Sequence, residues 1–173
     1  KQLKGISSCV IPPSKSHSIR CLLLASLSTC SSKIYNILDS QDIEASYNCF
    51  STLGVHFAKG KDKEGVHFVE VFPPNEGIKN YVKKQQKLVL NVGNSGTLLY
   101  MLSMLVASLP TKTQILGDRS IKKRPISPVL EALDQMKISY TLPDSPSLVD
   151  DKVLSFSESA QEIITIYGRE INE

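Results

Sequence analysis

Two apolar helix-forming runs, each opened by a short turn of small polar residues, constrain this chain more than any other feature. The first turn, Ser14-Lys15-Ser16-His17-Ser18, follows Ile11-Pro12-Pro13 and leads through Ile19 and Arg20 into Cys21-Leu22-Leu23-Leu24-Ala25-Ser26-Leu27. The second, Gly93-Asn94-Ser95-Gly96-Thr97, follows Leu88-Val89-Leu90-Asn91-Val92 and leads into Leu98 through Leu109. Serine, asparagine and threonine accept hydrogen bonds from the free N–H groups of a first helical turn, so each turn is expected to start a helix. Both helices are apolar nearly all round, which predicts burial between sheets.

Similar material follows each helix. After the first come a short strand at Ser32–Leu38, an amphipathic helix at Asp42–Leu53 stopped by Gly54, and two alternating segments, Val55–Ala58 and Val66–Phe72. The alternation reads as a hairpin. After the second come a strand at Lys112–Leu116, a loop, a helix at Ile126–Met136 and a strand at Ile138–Leu142. The order β-α-β-α-β-β thus appears once and begins again roughly 80 residues later, a supersecondary repeat. The expected fold class is α/β (α+β), with about two βαβαββ units of one domain at 13–85 and 86–150. Residues 143–151 read as loop, and Ala160–Tyr167 suits a helix or a strand equally.

Composition narrows the function classes. The chain has 173 residues, a net charge of +3 and only 6% aromatic side chains, and the cations are clustered rather than striped. That does not describe a nucleic-acid binder. Lys79, Lys83, Lys84 and Lys87 read as a solvated face. No apolar run approaches the length needed to cross a bilayer. Cys9, Cys21, Cys30 and Cys49 form no CxxC pair and no zinc spacing, so they read as reduced, mostly buried thiols of a cytosolic protein. His17, His56 and His67 make no ligand set, and no metal site is expected.

Three segments are suited to anions. The N–H groups, two hydroxyls and one ammonium at Ser14-Lys15-Ser16 lie at the positive end of a helix, with Arg20 about one turn further on; an ordinary serine cap beside exposed cations has the same pattern. No glycines precede it in the manner of a Walker P-loop. Gly93 and Gly96 allow close backbone approach by a ligand, although many such sequences are simply tight turns. Arg119, Lys122, Lys123 and Arg124 fall in six residues between a strand and a helix. They form either a solvated basic loop or a site for an anion that an arginine fork can grip. Pro125 is expected in the first turn of the following helix, with Arg124 just outside it.

At these residues the chain resembles a known family. Pro13-Ser14-Lys15-Ser16-His17-Ser18-Ile19-Arg20, Gly93-Asn94-Ser95-Gly96-Thr97 and Gly117-Asp118 through Lys122-Lys123-Arg124-Pro125-Ile126 resemble, in order, three signatures of the 5-enolpyruvylshikimate-3-phosphate synthases. Asn36-Ile37-Leu38-Asp39-Ser40-Gln41-Asp42 also fits between them. The sister family acting on UDP-N-acetylglucosamine carries a reactive cysteine where this chain has Asp118 to Lys123.

The resemblance implies transfer of the enolpyruvyl group of phosphoenolpyruvate to the 5-hydroxyl of shikimate 3-phosphate, with release of phosphate. It implies a cytoplasmic monomer of two repeat-built domains, without metal or organic cofactor. By position, Lys15 is catalytic, and Lys15, Gly96 and Arg124 bind phosphoenolpyruvate. Lys15, Ser16, Arg20, Thr97, Ser159 and Gln161 bind shikimate 3-phosphate. Residues 1–12 are expected to form a linker strand to another domain, and 13–173 an incomplete substrate-binding domain. The alternative is a fragment that only binds shikimate 3-phosphate or a similar anion. Tyr100 stands where the family carries an arginine, and Ala160 replaces a serine of its Ser-Ser-Gln motif.

Overall fold

The computed structural model describes residues 11–143 and 160–170. Ser14 accepts from the His17 N–H at 3.4 Å and starts helix α1, Lys15–Ser26. Residues 11–14 are irregular, so no strand directly precedes it. Strand β1, Ser32–Tyr35, leads to helix α2, Gln41–Thr52, capped by the Ser40 hydroxyl and carrying Asp42 and Glu44 against its positive end. Gly54 stops α2. Its φ of +89° lets its own N–H and that of Val55 turn back onto the Ser51 and Phe50 carbonyls, a Schellman closure.

Strands β2, His56–Lys61, and β3, His67–Phe72, form the expected hairpin, and β1 pairs antiparallel with the other edge of β3. A short helix α3, Gly77–Lys83, follows, where the sequence had suggested only a charged face. Its lysines 79 and 83 pair with Glu170.

The second series runs β4, Lys87–Asn91; α4, Gly96–Ala107; β5, Lys112–Gly117; a 3-10 turn at Ile121–Lys123; α5, Ser127–Gln135; β6, Ser139–Thr141; and β7, Gln161–Tyr167. Its sheet order is β4-β5-β7-β6, with β4 and β5 parallel and the remaining pairs antiparallel. The first sheet, β1-β3-β2, repeats the β5-β7-β6 part of this arrangement. The position corresponding to β4 in the first series falls outside the described residues. The ambiguous segment after Ala160 is therefore strand, and the second series takes its last strand from beyond residue 150. A part-buried polar set accompanies its register: Gln114 Nε2 donates to Glu162 Oε2 at 2.5 Å, and the Thr165 hydroxyl donates to Oε1 at 2.6 Å.

The core joins both series through Ile19, Leu22, Phe50, Leu90, Leu98, Leu102, Ile115 and Ile164. Two expectations fail at its edge. Leu24 on α1 is 68% exposed, and Leu23, Leu27, Tyr100, Met101, Met104 and Leu105 line an open groove, so α1 and α4 are not enclosed on every side. Of the described cysteines only Cys49 is buried, whereas Cys21 and Cys30 are exposed. Cys49 packs α2 on β4, donating to the Asn91 carbonyl at 3.2 Å, and burial pushes its thiol up to about 12.

Candidate functional site

The starts of α1 and α2 meet, and the turn that opens α4 lies one turn further along α2. Lys15, the first residue of α1, reaches the second residue of α2: its Nζ stands 2.8 Å from Asp42 Oδ2. That oxygen is buried and receives no well-aligned hydrogen bond, so the ammonium acts on it as a counter-charge. The Ser18 hydroxyl ties α1 to the loop before α2, donating to the Ser14 carbonyl and accepting from the Leu38 N–H. Further along α2, Ala45 lies beneath the turn that opens α4; a Cβ added at Gly93 would stand 3.9 Å from that of Ala45.

This turn is locked by its own side chains. Asn91 Oδ1 accepts from the Gly93 N–H at 2.9 Å, Gly93 takes φ +56°, and the buried Ser95 hydroxyl accepts from the Leu98 N–H. The Gly93 carbonyl accepts from the Asp118 N–H at 2.9 Å, which ties the second polar turn to the third. Gly117 has no room for a side chain, since a Cβ would overlap Ile121 Cγ2 and stand 3.0 Å from the Gly93 oxygen.

Asp118 then organises the basic loop. Its Oδ1 accepts from the Ser120 hydroxyl at 2.6 Å, the Ser120 N–H at 2.8 Å and the Ile121 N–H at 3.0 Å. Partial burial opposes its charge, but these three hydrogen bonds and the nearby Arg124 cation hold the carboxyl below its usual range. The 3-10 turn ends at Arg124, which is extended at φ −78°, ψ 143° as the residue before proline prefers. Pro128, not Pro125, occupies the first turn of α5, which begins two residues later than Pro125. Arg124 nevertheless lies outside the helix, as expected. Among the described residues none of Arg119, Lys122, Lys123 and Arg124 has a carboxylate within 4.0 Å.

The fold brings several of the expected site residues together. Arg124 lies over the first turn of α4: its Nη1 is 2.6 Å from the point where a Cβ on Gly96 would sit. Thr97 follows at the same helix start, half-buried. Gln161 opens β7 and is paired in register with Gly117, so it belongs to the strand end from which the basic loop departs. Ser16 and Arg20 share α1 with Lys15, one turn apart, with Ser16 half-buried and Arg20 exposed. No hydrogen bond or ion pair joins these α1 residues to Gly96, Thr97 or Arg124 among the described residues. Ser159 lies outside the described residues. His56 and His67 are exposed on the hairpin, and no group of three metal-ligating side chains occurs among the described residues.

Sequence reasoning gave Asp42 and Asn91 no part in the site, and marked Tyr100 only as a departure from the family's arginine. Asp42 had a signal, since an acid two residues after the Ser40 cap belongs to the positive end of α2. Its approach to Lys15 depends on how α1 and α2 pack.

Chemically, the α4 start offers bare glycine backbone beneath a guanidinium that has no carboxylate partner among the described residues, and the α1 start offers an ammonium shared with Asp42. That combination suits phosphate and carboxylate groups.

A sequence profile described as EPSP synthase (3-phosphoshikimate 1-carboxyvinyltransferase) matches residues 1–145. Relatives named 3-phosphoshikimate 1-carboxyvinyltransferase include one from Carboxydothermus hydrogenoformans, 38% identical over 79% of this chain and 29% of its own length. Another, from Chlamydia trachomatis serovar D, is 36% identical over 73% of this chain and 26% of its own length. The solved EPSP synthase from Acinetobacter baumannii superposes with a TM-score of 0.62 over 93% of this chain and 32% of its own, at 19% identity. That likeness establishes the fold alone. The chain spans less than a third of the length of the curated relatives it matches.

Proposed function

The chain belongs to the EPSP synthase family, and from that premise we propose that it supplies substrate-binding machinery to a 3-phosphoshikimate 1-carboxyvinyltransferase. The reaction transfers the enolpyruvyl group of phosphoenolpyruvate to the 5-hydroxyl of shikimate 3-phosphate and releases phosphate, a step of aromatic amino acid biosynthesis. Lys15 and Arg124 hold phosphoenolpyruvate against Gly96, and Lys15 offsets negative charge gathering on the departing phosphate. Lys15, Ser16, Arg20 and Thr97 bind shikimate 3-phosphate, with Ser159 and Gln161 completing that side.

The observation that carries this reading is the seating of the Arg124 guanidinium on Gly96 at the positive end of α4. A cation stacked on bare helix-start backbone makes a compact receptor for an oxyanion. In the proposed whole protein, residues 1–12 lead to a second domain and 13–173 form part of the first. It works as a cytoplasmic monomer without metal or organic cofactor. No helix among the described residues is long and apolar enough to cross a membrane.

The test measures phosphate release from the two substrates by the product of the full open reading frame, beside calorimetric binding by the 173-residue chain. Release together with binding supports the transferase reading. Binding without release assigns the chain to anion capture alone, and neither would overturn both.

A further inference from the structure

The geometry points to Tyr100 as the residue that positions Arg124. Tyr100 lies on α4 one turn after Gly96, so the two share a face of the helix. Its hydroxyl donates to the Pro125 carbonyl at 2.8 Å. Arg124 therefore meets α4 at two points: its guanidinium lies over the bare backbone of Gly96, and the next residue, Pro125, is bonded through its carbonyl to the Tyr100 hydroxyl.

The segment needs such a tether. The Arg124 N–H closes the 3-10 turn on the Ile121 carbonyl at 3.0 Å, and the next backbone bond forward is from the Val129 N–H to the Ile126 carbonyl. Pro125 has no N–H to donate, and the bond that fixes this corner is made at its carbonyl. Tyr100 is half-buried, its ring packed against the hydrophobic core at the wall of the groove. An arginine at position 100 could also donate to this carbonyl, but only from a long flexible stem, whereas the phenol hydroxyl is carried on a rigid ring.

In this chain Tyr100 contributes a fixed corner for the neighbouring cation in place of a charge of its own. An anion arriving at α4 then meets a guanidinium whose backbone is already placed, which lowers the ordering cost of binding. This inference rests on the reading of Arg124 as a phosphoenolpyruvate ligand.

Tyr100→Phe keeps the ring and removes only the hydroxyl. Two readouts on the 173-residue chain test it: the NMR resonance of the Arg124 side-chain Nε–H, which needs no ligand, and calorimetric affinity for phosphoenolpyruvate and for shikimate 3-phosphate. The expected result is a shifted and broadened Arg124 signal. Phosphoenolpyruvate should bind about three- to tenfold more weakly, the net value of one hydrogen bond, with shikimate 3-phosphate unaffected. An unchanged Arg124 resonance would overturn the inference. So would equal weakening of both ligands with earlier melting, the mark of a general structural role. If the native chain binds neither substrate, the functional reading fails, and the Arg124 signal in Tyr100→Phe still decides whether the hydroxyl positions that side chain.

Discussion

Arg124 and Gly96 compete for one space: Nη1 of the guanidinium stands 2.6 Å from where a Cβ on residue 96 would be. The atom in the way is the far end of a flexible side chain, so Gly96→Ala should fold normally and displace the guanidinium. Phosphoenolpyruvate affinity is expected to fall about tenfold or more, the value of a charge-assisted hydrogen bond. The melting temperature should change by little. Gly117→Ala provides the contrast, because there a Cβ meets the buried Ile121 and a backbone oxygen. It should lose about 1–3 kcal/mol of stability, as overpacked cores do. Thermal melts beside calorimetric titration of both variants check the pair.

The contact between Lys15 and Asp42 predicts a measurable but modest coupling. Lys15 is half-exposed and Asp42 nearly buried. A double-mutant cycle with Lys15→Ala and Asp42→Asn should give an interaction of up to about 1 kcal/mol in chemical denaturation. Raising the salt concentration should shrink it, since one partner faces water. A coupling of zero at low salt would remove Asp42 from the site.

Asp118 ties acid stability to the basic loop. Its folded-state carboxyl lies below the ordinary value of 3.8. A group shifted in this direction contributes stability that is fully present above its unfolded value and is lost as pH falls through the folded one. Asp118→Asn should therefore be less stable than the native chain at neutral pH. The gap between the two should close below pH 3.8. Denaturation midpoints measured from pH 7 downward test this, and a gap that persists in acid would contradict it.

At the end of α5, Lys137 takes φ +54° so that its own N–H and that of Ile138 can close on the Asp134 and Leu133 carbonyls. Gly54 does the same at the end of α2 without a Cβ penalty. Lys137 is exposed, and Lys137→Gly is expected to raise stability by up to about 1 kcal/mol. A higher melting temperature without loss of helical signal is the measurement.

Much of this was legible in the sequence because local chemistry decides it. Ser14, Ser40 and Ser95 cap the helices that their neighbours predict, Gly54 ends α2, and the alternation of residues 66–72 emerges as β3. The Ala160–Tyr167 segment was ambiguous because a doubly covered strand and a buried helix are equally apolar; pairing with β5 and β6 decides it. The expectation of fully buried α1 and α4 failed because apolarity does not say what covers a helix, and Leu24 is left in solvent. In the site, the cations and glycines could be picked out by type. Their seating could not: Arg124 over Gly96, Tyr100 on Pro125 and Lys15 on Asp42 all join residues far apart in the chain.

The central claim is that these helix starts form a receptor for a phosphorylated substrate, with Lys15 at its heart. Calorimetric titration of shikimate 3-phosphate into the 173-residue chain and its Lys15→Ala variant tests it most directly. The account predicts saturable binding to the native chain and loss of about tenfold or more in the variant, with stability changed by less than about 1 kcal/mol. A folded native chain that takes up no shikimate 3-phosphate, or a variant that binds it equally well, would contradict the account.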